Sequence, residues 1–312
     1  MNTLFEAFLN NKGFVILDGA MATELEARGA NLNHSLWSAK LLTENPELIK
    51  QVHIDYLLAG ADVITTASYQ ASFEGFAKHG YTRDQAIHLI QLSVQMAKEA
   101  RDQANQLANR TIQPLIAASV GPYGASLADG SEYRGNYGVS IETLKSFHRE
   151  RMAILLEAKP ELLACETIPC IDEAIALCEV LAEFPEAKAW ISFSCKDAEH
   201  ICSGENFADV VNIINASEQI IAVGVNCTAP QYVASLIKIG AANTNKLLLA
   251  YPNKGEVYDA TNKVWLANEN KCSSFLDDAK TWFNNGARLI GGCCRTNPAD
   301  IAGLTQISIT TI

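Results

Sequence analysis

The chain has 312 residues, 48% of them apolar and 19% charged, with a formal net charge of −11. That is the size of one α/β barrel and supplies enough apolar surface for a large core, which excludes a disordered chain. An acidic chain without a basic run has little to neutralise phosphates, so nucleic-acid binding is not expected. No apolar run approaches the length of a membrane span, which argues against a membrane protein.

The opening stretch, MNTLFEAFLNNKGFVILDGAM, lacks the basic start, unbroken apolar stretch and small-residue cleavage site of a secretory signal, so a cytoplasmic protein is expected. Nine cysteines in a reducing compartment are then free thiols or metal ligands, and disulfides are not expected.

Eight short apolar runs follow in order: FVILD (14–18), ADVITTA (61–67), PLIAASV (114–120), ELLACE (161–166), KAWISFS (188–194), IIAVGVN (220–226), KLLLAYP (246–252) and RLIGGCC (288–294). Their near-continuous hydrophobicity is the pattern of parallel strands covered on both faces. Helical segments lie between them. Asn45-Pro46 has the form of a cap and first helical position ahead of Ile49, Val52, Tyr56 and Leu57, with Gly60 closing the helix. Thr82 and Gln85 can make a capping box ahead of Ile87, Ile90, Val94 and Ala97, and Asn297-Pro298 starts another helix. The segment 119–139 is rich in Gly, Ser and Tyr, has no helical pattern, and is expected to form a lid.

Eight strands and intervening helices in one domain over residues 1–312 fit a (β/α)8 barrel better than a doubly wound sheet. The first strand is followed by DGAMATEL, with no GxGxxG turn for a dinucleotide. In a barrel, chemistry sits at the carboxyl ends of the strands, and reactive residues fall there. Asp18 ends the first run, Thr66 the second and Glu166 the fourth; Cys227 follows the sixth, and Cys293-Cys294 close the eighth. Three cysteines from two strand ends suit zinc, and three ligands would leave its fourth position open. Buried structural cysteines or a redox pair are the competing readings; adjacent cysteines pair only with distorted geometry. The other six cysteines have ordinary readings as core or surface thiols. The six histidines show no HExxH spacing.

The stretches ILDGAMATELEARG, SLWSAKLLTENPELIKQVHIDYLLAGADVITTASYQ, SVGPYGASLADGSEYRGNYG, VGVNCTAP, YPNKGEVYD and GGCCRTNP together resemble the homocysteine S-methyltransferase family nearly end to end. The branch that uses S-methylmethionine or S-adenosylmethionine is the nearest. The resemblance implies a TIM-type barrel with zinc at the carboxyl ends of its strands, held by Cys227, Cys293 and Cys294. It implies that Glu166 holds the homocysteine amino group and that Asp18, Gly19 and Thr66 line the same pocket. Trp37 is the aromatic residue expected near the donor cation, because an indole face attracts an onium group. The implied reaction is transfer of a sulfonium methyl group to homocysteine, forming methionine, with no acid–base pair needed. The expected partners are therefore small molecules; nothing in the chain marks an oligomer interface. A zinc hydrolase on the same barrel fits three thiolates poorly, and a non-catalytic zinc or thiol binder is separated from an enzyme by turnover.

Overall fold

Among the described residues ten strands form: β1 (Val15–Ile16), β2 (Val63–Thr65), β3 (Leu115–Val120), β4 (Leu162–Ile168), β5 (Ala189–Phe193), β6 (Ile220–Asn226), β7 (Leu247–Tyr251), β8 (Val257–Asp259), β9 (Val264–Leu266) and β10 (Ala287–Ile290). The computed structural model describes residues 4–32, 36–255, 257–259, 264–266 and 274–307; at Trp37, Ser38 and strands β8 and β9 it describes backbone alone. Eight strands make one parallel sheet in the order β1-β10-β7-β6-β5-β4-β3-β2. A parallel bridge between Leu17 and Val63 joins its two edges, with the Asp62 amide donating to the Ile16 carbonyl at 2.7 Å. The sheet thus closes on itself, as the eight apolar runs predict, into a TIM-type barrel. Strands β8 and β9 form a separate antiparallel hairpin after β7, which the apolar runs did not foretell.

Alternation along each strand sorts the core into two layers. Val15, Leu17, Val63, Ala117, Leu162, Ala164, Trp190, Ala222, Leu249 and Leu289 pack with one another inside the barrel, and Phe5 and Phe8 from the N-terminal helix join them. The next residues along, such as Ile16, Ile64, Ile116, Leu163, Ile191, Val223 and Ile290, pack outward with the helices. Trp190 is among the largest fully buried side chains, and truncating such a residue costs about 3–5 kcal/mol. Toward the carboxyl ends the inward positions turn polar: Ser119, Glu166, Ser192 and Asn226. Apolar packing closes one end of the barrel, and the polar residues are left for the other.

The helix signals hold. Asn45 accepts from the Leu48 amide and Pro46 begins the helix Pro46–Leu58, beyond which Gly60 takes φ +109°. Thr82 and Gln85 form the capping box of the 26-residue helix Arg83–Ala108. Asn297 also makes a capping box, its partner being Asp300. The segment after β3 departs from the expectation. It contains a helical turn, Tyr123–Leu127, and a 3-10 turn, Ser131–Tyr133. Each is too short to show a helical period in sequence.

Strand ends differ from the apolar runs where the site is built. β10 stops at Ile290, and the Gly-Gly-Cys-Cys stretch peels away from the sheet. The Gly292 amide donates to the Asp18 carbonyl at 3.0 Å and the Cys293 amide to the Pro252 carbonyl at 2.8 Å. Glycine is required here by close approach: a Cβ on Gly291 would lie 2.6 Å from Leu17 Cβ and 2.7 Å from the Asp18 oxygen. Gly291→Ala should therefore displace the cysteine loop and cost about 1–3 kcal/mol. Urea denaturation with a thiol count at the loop tests this, and wild-type values for both would refute the packing argument.

Candidate active site

Asp18, two residues beyond β1, is buried. Its carboxylate accepts from the Thr65 amide at 2.7 Å and the Thr65 hydroxyl at 2.6 Å. Across the mouth, Glu166 lies within β4, which runs on to Ile168. Glu166 accepts from the Ser119 hydroxyl and, at 3.2 Å, from the Tyr251 hydroxyl. Tyr251 in turn receives the Trp190 indole N–H at 3.1 Å and pairs with the Ser192 hydroxyl at 2.5 Å. Four strands thus hold one carboxylate.

Burial pushes both acids up to about 7; for Asp18 the nearby Glu166 charge adds to the effect, and for both the donated hydrogen bonds oppose it. Among the described residues, the groups that act most on the two acids include no basic side chain. Two desolvated carboxyls without a resident cation form a site for a cationic ligand.

Gly19 permits the turn after Asp18, since a Cβ there would meet the Tyr56 hydroxyl and Thr296 Oγ1, each at 2.9 Å. Tyr56 donates to the carbonyls of Ala20 and Thr296, both at 3.1 Å, and Thr296 donates to the Cys293 carbonyl at 2.6 Å. The Asp18 turn and the cysteine loop are therefore built as one unit. Thr66 is placed differently from its neighbour: its hydroxyl accepts from the Ser119 amide at 3.0 Å and pairs with Ser68. Thr65, not singled out in the sequence, makes the contact with Asp18. Trp37 begins the 3-10 turn Trp37–Lys40; the placement of its side chain lies outside the described residues.

Cys227 follows β6 directly with φ +45°, a left-handed conformation unusual for a non-glycine residue. Thr167, on the neighbouring rim, has φ +61°, and the Asn226 amide group holds it by bonds to the Thr167 amide (2.8 Å) and hydroxyl (2.7 Å). Strained backbone of this kind persists where surrounding bonds over-determine it, and it clusters at functional sites. The outcome is a sulfur cluster: the Sγ atoms of Cys227, Cys293 and Cys294 all lie within 4.8 Å of one another.

Cys227 and Cys293 are joined as a disulfide, with Cα atoms 5.6 Å apart. This corrects the expectation of no disulfide. Strand ends that gather sulfurs for a shared ligand also bring two of them within bonding reach. The two uses exclude each other, because a metal takes thiolates. In the reduced state three sulfurs from two loops match the soft donor set zinc takes, with a fourth tetrahedral position left to a ligand. Among the described residues Cys165, Cys170, Cys178, Cys195 and Cys202 are unpaired, as is Cys294, while Cys272 lies outside them; Cys165 and Cys195 are deeply buried, and burial raises both thiols.

The segment after β3 is tied down at both ends. Buried Glu173, in the first turn of the helix Ile171–Ala182, accepts from the Tyr123 amide at 2.5 Å and the Tyr137 hydroxyl at 2.8 Å, and it lies 2.8 Å from His148 Nε2. Between those anchors, the Ser194 hydroxyl at the end of β5 donates to the Glu132 carbonyl at 3.2 Å.

A closed eight-stranded barrel with carboxylates and clustered cysteine sulfurs at the carboxyl ends of its strands has the form of a barrel enzyme's active site. Residues 15–308 match the family model for homocysteine S-methyltransferase, and the chain belongs to that family. It is 54% identical to homocysteine S-methyltransferase YbgG of Bacillus subtilis over 94% of each chain. It is also similar to the crystal structures of homocysteine methyltransferase MmuM from Escherichia coli. The metallated form has a TM-score of 0.87 at 46% identity, covering 96% of this chain and 98% of that one. The oxidized form has a TM-score of 0.88 at 46% identity, covering 97% and 99%. This protein is accordingly an enzyme of methyl transfer to homocysteine. Among the described residues, no helix is long and apolar enough to cross a membrane.

Proposed function

We propose that this chain, as one barrel domain over residues 1–312, carries out zinc-dependent methyl transfer from S-methylmethionine, or S-adenosylmethionine, to homocysteine, forming methionine. One observation carries the reading: three sulfurs within 4.8 Å share the barrel mouth with two carboxylates, the buried Asp18 and the half-buried Glu166. The metallated form of the Escherichia coli relative supports a metal, and the donor set supports zinc. A reducing compartment such as the cytoplasm suits three thiols held as ligands.

Held by Cys227, Cys293 and Cys294, zinc would supply Lewis acidity that favours the thiolate of an incoming thiol, of which only about a few per cent is ionised at neutral pH. The chain's own residues do the rest. Glu166, held by Ser119 and Tyr251, receives the homocysteine ammonium. Asp18, fixed by Thr65, faces the same space with a second carboxylate, and Gly19 keeps its turn open. The segment anchored by Glu173 keeps water from the reacting sulfur. A sulfur lone pair forms the new S–CH3 bond, the donor's C–S bond breaks, and its electrons neutralise the sulfonium as the thioether leaves. The thiol proton goes to solvent. Neither carboxylate needs to move a proton, so alignment dominates the catalysis.

The test is to incubate zinc-loaded protein with homocysteine and, separately, S-methylmethionine, S-adenosylmethionine and betaine, and to quantify methionine. Methionine is expected from the sulfonium donors, most from S-methylmethionine. Failure of every donor at full zinc occupancy would remove this reading.

A further inference from the structure

The segment after β3 carries a carboxylate oxygen that is left without a partner. Glu132 lies in the Ser131–Tyr133 turn; its Oε2 is buried and has no hydrogen-bond partner among the described residues. Arg134 acts on Glu132 only through its charge, which partly offsets the burial, and makes its bonds elsewhere: it donates to Ser131 Oγ at 3.1 Å and pairs with Asp129 at 3.7 Å. A carboxylate oxygen sealed from water without a donor costs free energy unless a ligand supplies one. Burial also raises the Glu132 carboxyl above its ordinary value, as it would for an acid awaiting a cation.

Its surroundings say which ligand. The Glu132 carbonyl is held by Ser194, the residue that follows β5, so its turn lies at the carboxyl end of the barrel, the same end as the sulfur cluster, and belongs to the segment after β3 rather than to the barrel wall. Its backbone is fixed there by Ser194 and by the Glu173 anchors on either side.

Methyl transfer is an in-line displacement, so the donor sulfur lies on the far side of the methyl carbon from the attacking sulfur. An acceptor held by the wall and the sulfur cluster leaves the donor on the outer side, against the covering segment. Both substrates are amino acids, and Glu166 already serves one ammonium. We propose that the Glu132 carboxylate receives the α-ammonium of the sulfonium donor and so selects donors that carry N–H groups. This rests on the sulfonium-donor reading above. It also gives a reason for betaine to fail: its one nitrogen is the methyl-bearing centre itself, so it has no separate ammonium to offer the orphaned oxygen.

The experiment compares wild type with Glu132→Gln and Glu132→Asp, using two sulfonium compounds. S-methylmethionine has the amino group; dimethylsulfoniopropionate lacks it and is read as a donor or as a competitive inhibitor. Glu132→Gln is expected to lower kcat/KM for S-methylmethionine about 10- to 100-fold, the worth of a charge-assisted hydrogen bond. Its constants for dimethylsulfoniopropionate and for homocysteine and its zinc content should match wild type, and its Tm should be no lower. Glu132→Asp should retain more activity than Glu132→Gln. Equal losses with both sulfonium compounds, a raised KM for homocysteine, or no change with S-methylmethionine would each overturn the assignment. Wild-type protein that uses no sulfonium donor would overturn the functional reading itself, and this inference with it; an active wild type and an indifferent Glu132→Gln would overturn this inference alone.

Discussion

Replacing Cys294 with serine is expected to strip the metal from the protein and to lower methionine formation by more than about 100-fold. The figure follows from what lesser changes do: altering a residue that only supports a metal ligand costs about 10–100-fold in affinity or activity, and this substitution removes one ligand of three. The fold should survive. The two apolar layers form without any of the three clustered cysteines, so the Tm of the metal-free variant should match that of metal-free wild type. With the Cys227–Cys293 pair kept reduced, Cys227→Ser should behave alike, and Cys178→Ser, on the helix Ile171–Ala182, should not. Metal per chain after dialysis under reducing conditions and a methionine assay decide the matter. Cys294→Ser that keeps one metal per chain and near-normal turnover would show that the sulfur cluster is not the metal site.

The chemistry was easier to read in the sequence than the framework that aims it. Asp18, Cys227 and Cys293-Cys294 were legible because a reactive residue at the end of an apolar run has few structural reasons to be there. Glu166 was legible for a stronger reason: a carboxylate in a run such as ELLACE is costly to bury without a purpose. The same reasoning would have found Ser119, Ser192 and Tyr251, polar groups on strands packed on both faces. It needed the strand parity to show that all of them point inward with Glu166. Thr65 against Thr66 was a question of parity as well, and one residue of register separates a contact with Asp18 from a bracket on β3. Glu132 and Glu173 left no local signal. Their roles depend on partners 36–62 residues away, such as Ser194 and Tyr137. The Cys227–Cys293 link is legible only once two loops 66 residues apart are seen to meet.

Glu166→Gln should move stability and activity in opposite directions, and only above neutral pH. Burial holds the Glu166 carboxyl at about 7, against an ordinary value of 4.5. A raised acid in the folded state contributes stability that is fully present below about 4.5 and lost as the pH climbs through 7. At pH 8 the ligand-free enzyme therefore bears a buried anion, at a cost of roughly 1–3 kcal/mol. Glutamine removes that anion while keeping an oxygen to accept from Ser119 or Tyr251. The variant should melt a few degrees higher than wild type at pH 8 and show no such gain at pH 4, where both side chains are neutral. Homocysteine binding runs the other way, since its ammonium needs the ionised carboxylate. In wild type the KM for homocysteine should rise as the pH falls below 7. In Glu166→Gln it should be high at every pH and kcat/KM should drop about 10- to 100-fold at pH 8. Asp18, also held at about 7, titrates over the same range, so the variant's KM should keep a weaker pH dependence of its own. Melting curves at pH 4 and 8 and homocysteine kinetics across that range check both halves. A variant less stable than wild type at pH 8, or one with an unchanged KM, would show that Glu166 supports the barrel wall rather than the substrate, and the price of burying it would then be structural.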